Sequence, residues 1–280
     1  MKISIFTSNQ PRHLALVNRL ALIADSVFVV QECTTCFPGL VDDFYRKSET
    51  MQRYFAHVIA AEKKVFGSIN FLPNNVRGLS LRMGDLSLVD RRTIEPALGA
   101  DIFIVFGSSW IRGPLLDALI DRSALNLHMG ISPFYRGTAC NFWAAYDRRY
   151  EYIGGTIHKL SRGLDSGPIL QHALPPLRHC DAFEAGMLAV DSTHQALAQM
   201  IADGRVQEYS EGATAQDKSR EIRYTRNKEF TDEIAVEYLG RIESGEAVRN
   251  HIDTNSRHGL VRPHFWQPEP TKAEIPGRVS

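Results

Sequence analysis

The chain has 280 residues, enough to bury one full core with a smaller appendix. Its 32 Lys and Arg balance its 32 Asp and Glu, so no general field draws it to nucleic acid or to an acidic membrane. No stretch approaches the roughly 18 apolar residues needed to cross a bilayer, and the opening MKISIFTSNQ reads as a first strand rather than a secretory leader, so a soluble cytoplasmic protein is expected.

Short β-rich runs alternate with helical patterns through the first two-thirds. KISIFTS (2–8), SVFVVQE (26–32), DIFIVFG (101–107) and ALNLHM (124–129) have the composition of strands, three of them nearly continuous apolar runs that suit parallel strands covered on both faces. Between them Leu14, Val17, Leu20 and Ala21 keep helical spacing, as do Met51, Tyr54, Phe55, Val58 and Ile59. This βαβ rhythm predicts an α/β fold with a Rossmann-like, doubly wound, mostly parallel sheet. The first turn, TSNQPRH, holds no glycine to admit a pyrophosphate closely, which argues against a standard dinucleotide site.

Of the four cysteines, Cys33 and Cys36 have the spacing of a zinc knuckle, but no second such pair and no nearby histidine pair complete four ligands. Reduced thiols and no metal are expected. Beyond residue 150, GGTIHKL (154–160) and GPILQHALPP (167–176) read as two strands joined by the loop SRGLDSG. A helix follows through EAGMLAVDSTHQALAQMIADG and stops at Gly204. The tail beyond about 206 is polar, with one helix, DEIAVEYLGRIESG, and a Pro-rich end (Pro263, Pro268, Pro270, Pro276).

Within ALNLHM the two faces differ in kind. Leu125 and Leu127 point to a core, while Asn126 and His128 point together to the other side, because side chains two apart on a strand share a face. Either this is a half-exposed strand end, or two hydrogen-bonding groups converge on one reacting atom. A third polar group is Asp165, in RGLDSGPIL, where Gly163 and Gly167 let a loop bend tightly; in isolation it reads as an Asx-turn.

Taken in order, N-x-H, S-P-F-Y-R-G, G-G-T-I-H and D-S-G-P-I-L resemble the catalytic half of the 10-formyltetrahydrofolate-dependent formyltransferases, the family of the methionyl-tRNA, glycinamide ribonucleotide and amino-sugar transformylases. The resemblance is strong over residues 100 to 176 and extends in layout from residue 1 to about 205, with a His-to-Asp interval about one residue longer than usual. It implies a formyltransferase fold, with residues 1–205 as catalytic domain and 206–280 as a small C-terminal extension. The active site it implies is Asn126, His128 and Asp165, with N10-formyltetrahydrofolate as co-substrate. The pterin edge would be read by the backbone of GSSWIRG, especially Trp110 and Ile111, the family's usual Arg being displaced to Arg112, and by Gly163, Leu164 and Asp165.

The chemistry wants these residue types independently. When a free amine attacks a formyl carbonyl, a tetrahedral oxyanion forms, and N–H donors from Asn126 and His128 would stabilise it; losing one such donor costs about 10²–10³ in rate. Asp165 would orient the imidazole and favour its charged form. Cys140, in GTACNFW, lies near enough in sequence to be imagined as a nucleophile, but no nucleophile motif surrounds it, and a core position is expected. His158 matches a position commonly His in the family and is read as a structural strand histidine.

The acceptor is read from what surrounds this core. Residues 206–280 hold 11 Lys and Arg against 13 Asp and Glu, a poor surface for tRNA phosphates. The first turn departs from the Gly/Ser-rich phosphate loop of the glycinamide ribonucleotide enzymes, and the regulatory domain of the formyltetrahydrofolate hydrolases has no room. SPFYRGTACNFWAAY and the tail helix resemble amino-sugar N-formyltransferases, which implies a nucleotide-linked amino-deoxysugar acceptor. Asn9, Gln10 and Arg12, or Tyr135 and Arg136, would contact it, or are solvated loop residues. Formylation of an amino acid or hydroxylamine precursor, methionyl-tRNA formylation, and a folate-binding sensor without turnover stay open. A homodimer, if formed, would use the tail.

Overall fold

A computed structural model describes residues 1–37, 48–176, 180–243 and 259–268. Strands β1 (Lys2–Ser8), β2 (Ser26–Cys33), β3 (Val76–Arg82), β4 (Ile102–Phe106) and β5 (Leu125–His128) run parallel in the order β5-β4-β1-β2-β3. A short strand β6 (Tyr135–Gly137) precedes the hairpin of β7 (Gly155–Lys159) and β8 (Ile169–Leu174). In that hairpin β7 pairs antiparallel with both β5 and β8. Two strands come from the tail: β9 (Arg223–Thr225) pairs with β6, and β10 (His264–Phe265) closes the sheet beside β8. The result is an eight-stranded α/β sheet, mostly parallel as the sequence rhythm predicts.

Helices α1 (Pro11–Ala21), α2 (Glu49–Phe66), α3 (Arg91–Leu98), α4 (Gly113–Asp121), α5 (Cys140–Tyr146), α6 (Ala182–Ala202), α7 (Val206–Glu211) and α8 (Asp232–Glu243) cover it. Their starts carry ordinary capping chemistry. Pro11 opens α1, where its missing N–H costs nothing, Ser48 accepts from Met51 N at 3.1 Å ahead of α2, and Asp181 accepts from Glu184 N at 2.8 Å ahead of α6. On one face of the sheet Leu16, Val17 and Leu20 of α1 and Leu197, Met200 and Ile201 of α6 pack over Ile3, Ile5, Leu125 and Leu127. Leu86, Leu98, Leu115 and Leu119 bury Phe6, Phe103 and Val105 on the other.

β3, β6, β9, β10, α3, α4, α5 and α7 are absent from the sequence reading, which gives the tail one helix where the structure has α7 and α8. β3 is an edge strand with most of its side chains exposed, so VRGLSLR shows no buried periodicity. α4 is apolar over most of its length and begins at Gly113-Pro114, which reads as a turn from sequence.

Residues beyond 205 join this body at several places. Ala235, Tyr238 and Leu239 of α8 are buried among Tyr54, Phe142 and Phe183, with ring centroids 4.9 Å apart for Phe142–Tyr238 and 5.3 Å for Tyr54–Phe183. His172 of β8 lies 2.8 Å from Ser132 O through Nε2 and accepts Val261 N at 2.9 Å on Nδ1. Pro270 and Pro276, and the last residues of the expected tail helix, lie outside the described residues. Among the described residues no helix is long and apolar enough to cross a membrane.

The strand numbering reverses between β1 and β4, and the carboxyl ends of strands flanking such a reversal form the crevice in which open α/β sheets bind ligands. β5 lies next to β4 on that side.

Candidate active site

β5 alternates as its sequence predicts: Leu125 and Leu127 enter the core, and Asn126 and His128 face the other side. Directly across the antiparallel pairing, His158 stands opposite Asn126, so the three polar side chains share one face. The β7–β8 loop folds back over this face. Asp165 stands at φ +46, a left-handed conformation that Asp tolerates better than most residues. Gly167 lets the loop lie close, for a Cβ there would meet Lys159 O at 1.8 Å and His158 Nδ1 at 3.2 Å.

The loop brings Asp165 to the histidine. Asp165 Oδ2 lies 3.3 Å from His128 Nδ1, with the side chains only 11% and 6% exposed. Asp165 Oδ1 accepts from Asn126 Nδ2 at 3.3 Å, and Asn126 Nδ2 is also 3.0 Å from His158 Nε2. His128 Nε2 lies 3.2 Å from Tyr135 O. Both His128 nitrogens thus face groups that only accept, an arrangement that suits the doubly protonated ring. Burial opposes that charge, but the Asp165 carboxylate, with the Cys140 Sγ beside it, outweighs burial and holds His128 well above the ordinary histidine range. Burial likewise works against the Asp165 carboxylate, and the His128 imidazolium overrides it, holding Asp165 well below the usual carboxylate range.

One expectation needs correction. Asn126 and His128 were to offer N–H groups to a single external oxygen. Here the Asn126 amide nitrogen is turned inward to Asp165 and His158, and the His128 Nε2–H is shared with Tyr135 O. Buried donors take the nearest acceptors, and the strand face supplies them internally.

Three further side chains hold the arrangement, and of them motif reading singles out only His158. Gln216, in the tail, donates through Nε2 to Asp165 O and Gly167 O, both at 2.8 Å, and so fastens the loop. His158 Nδ1 lies 2.8 Å from Lys159 O. Glu32, fully buried at the end of β2, accepts from Gly84 N (2.9 Å), Leu86 N (3.0 Å), Ser109 N (2.6 Å) and Ser109 Oγ (2.8 Å), and so fixes the segment after β4.

That segment carries Trp110 and Ile111. The Trp110 indole is 64% exposed with the Arg112 guanidinium 5.8 Å over its ring, whereas the Ile111 side chain is 4% exposed and packs in the core, leaving only its backbone to meet a ligand. Among the described residues the Ile111 N–H and C=O take no hydrogen bond. Leu164 is 41% exposed and Gly163 is exposed, while the Leu164 carbonyl accepts from Arg136 Nη2 at 3.0 Å. An Arg162–Asp117 ion pair at 2.7 Å ties this loop to α4, the helix that follows the Trp110 segment.

The five expected acceptor contacts fare differently. Tyr135 is 1% exposed and its hydroxyl donates to Asp147 Oδ2 at 3.1 Å, so its side chain is core, and only its carbonyl reaches the site. Arg12 pairs with Glu62 at 2.7 Å, and buried Arg136 pairs with Glu221 at 2.9 Å. Asn9 spends both ends of its amide on the Thr34 backbone, at 2.9 and 3.0 Å, and Gln10 bonds Ser8 and Thr34 side chains. All five are engaged within the protein. Cys140 is buried, its Sγ 3.6 Å from Gly137 O. Among the described residues no group of three or more His, Cys, Asp or Glu is arranged to hold a metal.

No family model matches the chain. It is 33% identical over 81 residues to the methionyl-tRNA formyltransferase of Synechococcus sp. (strain JA-3-3Ab), a match covering 29% of this chain and 25% of that protein. With the methionyl-tRNA formyltransferase of Anaeromyxobacter dehalogenans (strain 2CP-C) it shares 35% over 88 residues, 31% of this chain and 28% of that one. The matches thus span about a quarter of the length of these curated relatives. Among solved structures it is similar to a sugar N-formyltransferase from Shewanella sp. FDAARGOS_354, with 13% identity, 85% of this chain and 87% of that one covered, and a TM-score of 0.51. That likeness is one of fold.

Proposed function

We propose that this chain, which has the fold of the formyltransferases and shares a stretch of sequence with them, transfers a formyl group from N10-formyltetrahydrofolate to a primary amine. The observation that carries the reading is the meeting of Asn126, His128 and Asp165 at one point, from a strand and from a loop some forty residues on. A buried imidazolium beside a reacting carbonyl stabilises the negative charge that an attacking amine creates on oxygen. The His128 Nε2–H is suited to share itself with that oxygen, since its bond to Tyr135 O is long for N–H···O. Asp165 keeps the ring charged and fixes its tilt.

The residues bordering the site suit the folate donor, which would supply the formyl group. Trp110 offers an exposed aromatic face, the Ile111 backbone has a donor and an acceptor to spare, and Leu164 adds an apolar rim on the Asp165 loop. For the acceptor, the proposal is the amino group of a nucleotide-linked amino-deoxysugar. The tail supports this over tRNA, because its 11 basic and 13 acidic residues give phosphates no positive field.

The test mixes the protein with 10-formyltetrahydrofolate and a panel of amines: nucleotide-linked amino-sugars, amino acids, hydroxylamines and methionyl-tRNA. Release of tetrahydrofolate with an amino-sugar is the expected result. Turnover with methionyl-tRNA alone would replace the acceptor assignment, folate binding without turnover would favour a sensor, and hydrolysis without amine would favour a hydrolase.

A further inference from the structure

The orientation of the Asn126 amide follows from its neighbours. His158 Nδ1 sits 2.8 Å from Lys159 O, a group that only accepts, so Nδ1 carries a ring proton; Asp165 Oδ1, 3.7 Å from Nε2, is beyond hydrogen-bond reach, so Nε2 presents a lone pair to its nearer neighbour. The Asn126 atom 3.0 Å from that lone pair must be a donor. The same atom is 3.3 Å from the Asp165 carboxylate, a second group that only accepts. Both neighbours require the NH₂ end, and a flipped amide would set Oδ1 against a carboxylate oxygen and an imidazole lone pair at once. The carbonyl end therefore points the other way. Asn126 is half-buried, and among the described residues Oδ1 takes no hydrogen bond.

We infer that Asn126 meets the substrate through its carbonyl oxygen, as a hydrogen-bond acceptor, and that His158 is the positioning residue that turns it so. For the transfer proposed above, on which this role rests, the partner is an N–H of the attacking amine. The amine lone pair forms the bond to the formyl carbon, the bond from that carbon to N10 breaks, and the proton lost by the amine ends on N10. Asn126 takes no proton in this sequence. It aims the lone pair by holding a hydrogen on the far side of the amine nitrogen, a matter of orientation. The charge on the carbonyl oxygen is then left to His128.

Nuclear magnetic resonance of the full chain with isotope-labelled asparagine reads the orientation directly, the Asn126 signal being identified by its loss in Asn126→Ala. In the wild-type protein the Asn126 side-chain protons are expected to exchange with water at least about tenfold more slowly than those of a free amide, the effect of bonds to a carboxylate and a ring nitrogen. His158→Leu is expected to abolish the protection of one of them while other asparagine amides keep theirs, and His158→Gln, which offers an acceptor oxygen, to restore it. Free-amide exchange in the wild type, or unchanged protection in His158→Leu, overturns the assignment. The wild-type measurement needs no variant, so it decides even where His158→Leu does not fold. In turnover, His158→Leu is expected to lower kcat about tenfold to a hundredfold with the Kd for 10-formyltetrahydrofolate unchanged, and an unchanged kcat overturns the positioning role. Absence of transfer by the wild type to any amine would instead sink the proposed function, with the exchange data still deciding which end of the amide faces inward.

Discussion

Replacing Asp165 with Asn keeps the shape of the site and removes one charge, which makes it the sharpest probe of how His128 is held. Two unit charges 3.3 Å apart attract by about 5 kcal/mol at an effective dielectric of about 20. Withdrawing both from water offsets part of that gain. A surviving half, about 2.5 kcal/mol, corresponds to roughly 70-fold in rate. The pH dependence has a definite sign. His128 is held above its unfolded value of about 6.5, so its contribution to stability is full below that pH and is lost as pH rises through the higher folded value. Asp165 is held below its unfolded value of about 3.9, so its contribution is present above that pH and is lost as pH falls through the lower folded value. In Asp165→Asn burial acts on His128 against the Cys140 Sγ alone, and the ring should lose its proton at a lower pH than in the wild type. Titration of the His128 ring signals by magnetic resonance checks this without any turnover, and kcat/KM against pH should show the same displacement. A His128 midpoint near 6.5 in the wild type, unmoved in Asp165→Asn, would refute the reasoning.

Further outcomes follow from the same contacts. His128→Ala should lower turnover at least about a hundredfold with its circular dichroism unchanged, and near-normal rates in a well-folded variant would remove His128 from the chemistry. Gly167→Ala forces a Cβ to within 1.8 Å of Lys159 O, so denaturant titration should show a loss of about 1–3 kcal/mol. Leu239→Ala empties a buried position shared by α8 with α2, α5 and α6, and should cost about 2–5 kcal/mol in one cooperative transition. A separate early transition for the tail would show that α8 unfolds independently.

The fold was legible where burial leaves a pattern. β1, β2, β4 and β5, each in the middle of the sheet, are written as apolar runs, and the break in ALNLHM points to the site. β3 lies at an edge and was not legible. The Asn126, His128 and Asp165 set came from motif order, but the direction of each hydrogen bond did not, because it depends on what stands across the hairpin. His158 faces Asn126 across the antiparallel β5–β7 pairing, and no local spacing reveals that register because β6 and α5 intervene between the two strands. Gln216 reaches the Asp165 loop from 51 residues away, with no local signal to mark it. Arg12, Tyr135 and Arg136 read as exposed contacts because polar residues in turns usually are; here each is held by an acid elsewhere in the chain.

The carboxylate at the end of β2 has a mechanical consequence. The Glu32 carboxylate grips the backbone after β3 with one oxygen and the backbone before Trp110 with the other. Displacement of the 84–86 turn is therefore felt at the rim where an aromatic face waits for a ring, without passing through the strands between them. Exchanging that acid for its amide would put an NH₂ among donors, and the grip would loosen at both ends together.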